Sequence, residues 1–341
     1  MGVPLTPILK REESSFRALA GKSFAIDASI ELHQYLALIR KRDGTLFTDN
    51  QGRTTSHLIG LLTRTSRLIT DYHIQPIFVF DGKYNPLKKR VVEQRRQVQA
   101  KAEIEYKQAV ASKDYAKAWS KVVMTGRVTS SILSDSKRLL TLMGVPWLDA
   151  YEDAEAQASY MAIKREVWAV GSKDYDCLLF GAPILARYLT LTGREYLPSK
   201  GTSRKLVPEL VKLADNLQTL GITREQLVDL AILVGTDFNE GIKGIGPKKA
   251  LRIVKEYGSL ENTPDNVHSL LPSNIDEVRN IFLHPKVLEK YSIVKGRVDA
   301  DGIVEFLAGE RAFETDRVRE AANRLVEAQR IADSSLGKWM A

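Results

Sequence analysis

The chain holds a single cysteine, Cys177, in 341 residues. That excludes an internal disulfide framework and any cysteine-built zinc site, and it points to a reducing, cytosolic setting in which Cys177 is a small buried hydrophobe. The five histidines are scattered without an H-E-x-x-H pair, and there is neither a Walker loop nor a G-x-S-x-G elbow. Zincin, P-loop and serine-hydrolase chemistries are therefore set aside. No apolar run approaches a membrane span, and the first eleven residues lack the apolar core of a signal peptide, so no membrane is expected as a partner. Residues 1–6 do fit the bare myristoylation pattern, but nothing else in the chain speaks for a lipid surface. No period of 20–50 residues suggests a repeat protein.

What is present is ordinary globular composition, 44% hydrophobic and 27% charged, at a length suited to one large or two coupled domains. The net charge of +8 and pI near 9.3 invite a polyanionic partner. Its location is more telling. Between Lys83 and Arg127 there are twelve Lys or Arg and four Asp or Glu, so this one segment carries the whole excess. Residues 84–122 read as helix with a weak apolar stripe; a solvated face is the bland reading, and a mobile element lying against phosphates fits the single sign of charge better.

Along the chain, short apolar runs stop at acids. Residues 22–27 read as a buried strand ending at Asp27, with a helix over 31–41 behind it. A helix over 56–72 leads to a strand over 76–80 that ends at Asp81. Strand, helix, strand in this order predicts a parallel sheet, whose site lies at the carboxyl ends of its strands. Either aspartate alone could be a turn residue. A helix over 129–143 and a strand over 145–148 precede the acid-rich residues 149–157, where a helix cap explains one or two acids but not the rest. A strand over 167–170 ends in Asp174-Tyr175-Asp176, a pair that repels unless a cation or proton lies between. A hairpin over 184–197 is expected to extend the sheet with antiparallel strands, and helices are expected from Pro208 and from Thr223.

The stretch 227–260 closes the argument. An apolar helix ends near Val234, Asp237 follows, then a glycine hairpin and an amphipathic helix begun by Pro247. Glycines 241, 244 and 246 are read as taking positive φ and letting the backbone approach a ligand; the helix start binds phosphate, with Lys248 and Lys249 adding charge. An ordinary helix-turn-helix corner is the alternative. Asp27, Asp81, Asp153, Glu155, Asp174, Asp176 and Asp237 each follow an apolar run. Seven carboxylates brought together need metal, and oxygen-only donors select Mg²⁺ or Mn²⁺. A carboxylate cage beside a phosphate-gripping hairpin means metal-assisted phosphodiester hydrolysis.

In order, FAIDAS, IFVFDG, the acids of DAEAQ, KDYDCLLFG and LVGTDFNEGIKGIGPKKAL resemble the structure-specific 5′ nucleases, and their spacing is similar to an archaeal-type flap endonuclease. The resemblance implies an α/β fold: a mixed, largely parallel sheet between helices, crossed by a helical arch, with a helix-two-turn-helix module. It divides the chain into an N-terminal nuclease region (1–106), an arch (84–126), an internal nuclease region (127–262, with the module at 227–260), a C-terminal helical part (263–328) and a tail (329–341). It puts the seven acids on the family's metal-site carboxylates, holding two Mg²⁺ about 4 Å apart, with Mn²⁺ as substitute. It puts Lys88 and Arg95 on the pair that steers the scissile phosphate, with Arg96 an alternative to Arg95. His33 stands where an aromatic stacks on a base; Gly244, Gly246, Lys248 and Lys249 grip duplex backbone; carbonyls of Gly241, Ile242 and Ile245 line a K⁺ site. Three departures are visible: Asp153 replaces a glutamate, His33 a tyrosine, and Asp333 the glutamine of a sliding-clamp (PCNA) motif that otherwise keeps Leu336, Trp339 and Met340. Weak clamp binding is expected. The implied protein is a monomeric flap endonuclease with 5′-3′ exonuclease activity, acting on branched DNA in replication and repair in an archaeal cytoplasm. The alternatives are a non-catalytic branched-DNA-binding scaffold and another metal-dependent nuclease of the same fold acting on other DNA junctions or on RNA, such as a toxin-like RNase with a similar sheet.

Overall fold

The computed structural model describes residues 2–41, 43–122, 124–190, 193–197 and 202–339. Five short apolar segments form parallel neighbours in one sheet: β2 (Ser23–Asp27), β3 (Gln75–Phe80), β4 (Trp147–Asp149), β5 (Ala169–Gly171) and β6 (Ile184–Arg187). Antiparallel β9 (Glu209–Lys212) and β1 (Glu12–Glu13) complete the order β1-β9-β6-β5-β2-β3-β4. Mixed, largely parallel pairing is thus what the alternation of strand and helix dictates.

Strand parity sorts the two cores. Phe24, Ile26, Phe78 and Phe80 face one side with the helices Ala28–Leu38, Ser130–Leu142 and Thr315–Trp339. Ala25, Ile77, Val79 and Val170 face the other, against Ala154–Ile163, Arg224–Val234 and Pro247–Tyr257. Period-two alternation then aims Asp27 and Asp81 to the second side, beyond the last apolar layer. The helix over 56–72 is continuous but widens into a π-turn at Leu61–Thr65.

Two expectations fail here. The hairpin over 184–197 does not exist as such: β6 already has β5 on one side and β9 on the other, so no edge remains for the next strand. Instead β7 (Gly193–Leu197) pairs with β8 (Thr202–Leu206) as a separate ribbon. Nor does a helix begin at Pro208. Glu209 and Val211 are buried alternately in a strand, and the helix starts at Leu213; tertiary pairing overrides the proline signal.

The basic segment folds as a long helix, Lys89–Ala111, and a short one, Tyr115–Val122. Its buried positions are small, chiefly Ala102, Ala109 and Ala118, and Lys121 pairs with Glu105 at 2.7 Å between the helices. The C-terminal helix Thr315–Trp339 runs unbroken through position 328. The side chains of Leu336 and Trp339, and Met340 altogether, lie outside the described residues.

Candidate active site

All seven acids line one cleft of about 1190 Å³, together with His33, Lys88, Arg95 and Gly241. Different elements deliver them. Asp27 closes β2 and caps the following helix, its Oδ1 accepting from Ile30 N at 3.0 Å. Asp81 follows β3; it accepts from Ser29 Oγ at 2.6 Å and from Ala154 N at 3.0 Å, which pins the start of the helix Ala154–Ile163. Asp153 caps that helix, accepting from Glu155 N at 2.9 Å. Glu155 points inward, where Ser172 Oγ donates to it at 2.7 Å and Cys177 Sγ at 3.2 Å. Asp174 and Asp176 lie after β5, and backbone N–H groups of Gly2 and Val3 donate to them at 2.9 and 2.8 Å. Asp237 comes from the loop after the helix Arg224–Val234.

The electrostatics of this gathering are unfavourable without a countercharge. Burial, then the charges of Asp81, Asp153 and Asp174, pushes the Asp27 carboxyl well above its ordinary range. Glu155 is raised well above its range by burial and then by Asp176 and Asp27. Asp176 is pushed up to about 7 by burial, then by Asp237 and Asp174. Cations of the arch base partly answer the need: Lys88 pairs with Asp153, and Arg95 Nη2 donates to Asp237 at 2.6 Å. Burial works against the Lys88 ammonium, yet Asp153, Asp81 and Asp237 hold its pKa above the usual lysine range. Arg95, rather than Arg96, reaches an acid of the cleft and lines it. Arg90 of the same helix pairs with Glu240 at 2.5 Å, a link from arch to glycine hairpin.

Among the described residues no three acids, histidines or cysteines already surround one point as a metal ion would need. Backbone amides, the Ser29 and Ser172 hydroxyls and the Cys177 thiol donate to these carboxylates, while Lys88 and Arg95 pair with Asp153 and Asp237. The donor set itself, oxygen throughout and short of positive charge, suits a hard divalent ion.

The hairpin corrects one expectation. Only Gly244 of the three glycines has a left-handed φ, +83°. Gly241 is needed for a close approach: a Cβ there would lie 2.0 Å from the Val234 carbonyl oxygen. Gly246 has φ −94° and caps the helix Pro247–Tyr257 without a side chain; nothing lies within 4 Å of a Cβ at 244 or 246, which leaves that corner open to solvent. Ile242 and Ile245 are buried, with Ile245 N donating to Ile242 O at 3.0 Å.

With this geometry in view, the relatives are informative. Residues 1–102 match the XPG N-terminal domain and residues 144–237 the XPG I-region. Flap endonuclease 1 of Archaeoglobus fulgidus is 42% identical over 340 residues, covering 99% of this chain and 100% of that one. The chain belongs to the flap endonuclease 1 family. It is accordingly a structure-specific 5′ flap nuclease, a hydrolase of DNA phosphodiesters, and nucleases of this family are metal-dependent. The structure of flap endonuclease-1 from Methanococcus jannaschii superposes with a TM-score of 0.77 at 37% identity, covering 98% of this chain and all of that one. The catalytic core of Rad2 in complex with DNA substrate shares the fold, with a TM-score of 0.70 at 22% identity over 94% of this chain and 97% of its own.

Sequence reasoning missed several residues of the cleft. Gly2 and Val3 carried only a lipidation pattern, whereas their amides hold Asp174 and Asp176. Cys177 is buried as expected but also donates to Glu155, a contact no local pattern announces.

Proposed function

We propose that this flap endonuclease cuts at the base of a 5′ DNA flap with two divalent cations, Mg²⁺ with Mn²⁺ as substitute, held by Asp27, Asp81, Asp153, Glu155, Asp174, Asp176 and Asp237. The observation that carries the reading is the convergence of these acids on one cleft, with Asp27, Glu155 and Asp176 pushed toward neutrality by burial and by their neighbours. Bound there, such ions supply an activated water and offset charge on the phosphate and leaving oxygen.

The chain's own groups do the rest. Lys88 and Arg95 exchange Asp153 and Asp237 for the scissile phosphate once the acids are neutralised, and so draw it to the cleft. His33, exposed at the rim, offers an imidazole face to an unstacked base as the terminal pair opens. The open corner at Gly244 and Gly246, with Lys248 and Lys249, holds duplex phosphates without reading bases. Carbonyls of Gly241, Ile242 and Ile245 hold a K⁺ ion there. The basic helices over 84–126 pass the 5′ strand; nuclease regions 1–106 and 127–262 share the site, and 263–328 buttresses it. The enzyme works as a monomer with 5′-3′ exonuclease activity in Okazaki fragment maturation and repair, in an archaeal cytoplasm. Its tail binds a sliding clamp weakly through Leu336, Trp339 and Met340.

Asp176→Ala tests the assignment. It should bind double-flap DNA like the parent and lose cleavage in Mg²⁺ by more than about a hundredfold; cleavage at the parental rate rules out this metal site.

A further inference from the structure

Asp174 lies in residues 172–175, the link from β5 to the short helix Asp176–Leu179, and Asp176 opens that helix, so the pair straddles a turn that no strand fixes. Two like charges on such a turn drive it apart unless something fastens it. We infer that Arg187 is a positioning residue for this carboxylate pair, clamping the turn through the Lys173 carbonyl and the Tyr175 hydroxyl; the role rests on the cation site proposed above.

Arg187 ends β6 and is 6% exposed. Its Nε donates to Lys173 O at 3.0 Å, and Nη1 donates to Tyr175 Oη at 2.8 Å and to Glu209 Oε2 at 2.9 Å. Nη2 donates to Tyr188 Oη at 3.2 Å, and the guanidinium lies 4.5 Å from the Tyr175 ring centre and 4.8 Å from that of Tyr188. Glu209 is the cross-strand partner of Arg187 in the β6–β9 register and is buried too. Tyr175 Oη also bonds Thr6 Oγ1 at 3.1 Å, which ties in the segment whose Gly2 and Val3 amides hold the acids themselves.

A buried ion pair is weak evidence for stability, because two apolar residues would seal the same strands about as well. They could not reach the groups on either side of Asp174. The planar fork of arginine does so with several donors at fixed angles, and a lysine could not reproduce them.

The test uses full-length Arg187→Lys and Tyr175→Phe, with four readouts: Mn²⁺ binding by calorimetry without DNA, the Mg²⁺ midpoint for flap cleavage, flap-DNA affinity in EDTA, and Tm. Mn²⁺ affinity should fall about tenfold in Arg187→Lys and about threefold in Tyr175→Phe, with the Mg²⁺ midpoint rising in step. Flap-DNA affinity should stay within about twofold, and excess Mg²⁺ should recover most of kcat. A lowered Tm with unchanged Mn²⁺ affinity and Mg²⁺ midpoint overturns the role in favour of a purely structural one. If Arg187→Lys does not fold, Tyr175→Phe decides, since it removes one oxygen. A parent that neither binds Mn²⁺ nor needs Mg²⁺ overturns the cation site itself, a different failure from a parent that does both beside unshifted variants.

Discussion

Replacing Glu31 by glutamine should make folding stability less sensitive to pH between about 4.5 and 7. Glu31 is 5% exposed on the helix Ala28–Leu38, where Thr190 Oγ1 donates to its Oε2 and Tyr35 lies one turn along. Burial raises its pKa from 4.5 to about 7; the Thr190 bond and the Arg64 charge pull the other way without prevailing. The folded chain therefore binds this proton more tightly than the unfolded chain. Its contribution is fully present below about 4.5 and is lost as pH rises through about 7. Holding the carboxyl at about 7 rather than 4.5 is worth on the order of 3 kcal/mol, at about 1.4 kcal/mol for each tenfold change in proton affinity. Glutamine keeps an acceptor for Thr190 and removes the charge. Urea unfolding of parent and Glu31→Gln in EDTA should thus give closely similar stabilities near pH 4.5 and a gap of about 3 kcal/mol in favour of the variant at pH 8. Other buried acids act on both proteins alike, so the difference isolates Glu31. Parallel stability curves across that range would refute the reasoning.

Asp27→Asn should raise Tm in EDTA by removing one buried like charge, a gain of about 1–2 kcal/mol, while abolishing cleavage; a lower Tm would mean the acids are not in electrostatic conflict. Millimolar Mg²⁺ should stabilise the parent more than this variant. Gly241→Ala should cost about 1–3 kcal/mol and weaken flap binding, because its Cβ would meet the Val234 carbonyl, whereas Gly246→Ala, with open space around it, should cost under about 1 kcal/mol. Equal losses in chemical denaturation would discredit the close-approach argument. Truncation before Asp333 should lower clamp recovery in a pull-down and leave flap cleavage unchanged; unaltered recovery removes the clamp role of the tail.

The primary sequence by itself determined the parallel strands of the sheet, that apolar runs end in acids, and that the charge excess lies in one helical segment. These are local facts, carried by periodicity, by composition and by the oxygen chemistry of aspartate and glutamate. Parity alone puts Asp27 and Asp81 on one face, and a proline after glycine starts the helix at Pro247. Only tertiary structure decided that β6 has no free edge, that Glu209 continues a strand rather than opening a helix, and that Gly241 is small because the Val234 carbonyl lies against it. The same holds for Arg187, Gly2 and Cys177, whose partners in the cleft lie 12 to 172 positions away along the chain. Hydrogen bonds and close contacts of that span depend on where whole elements pack, and no stretch of neighbouring residues encodes them.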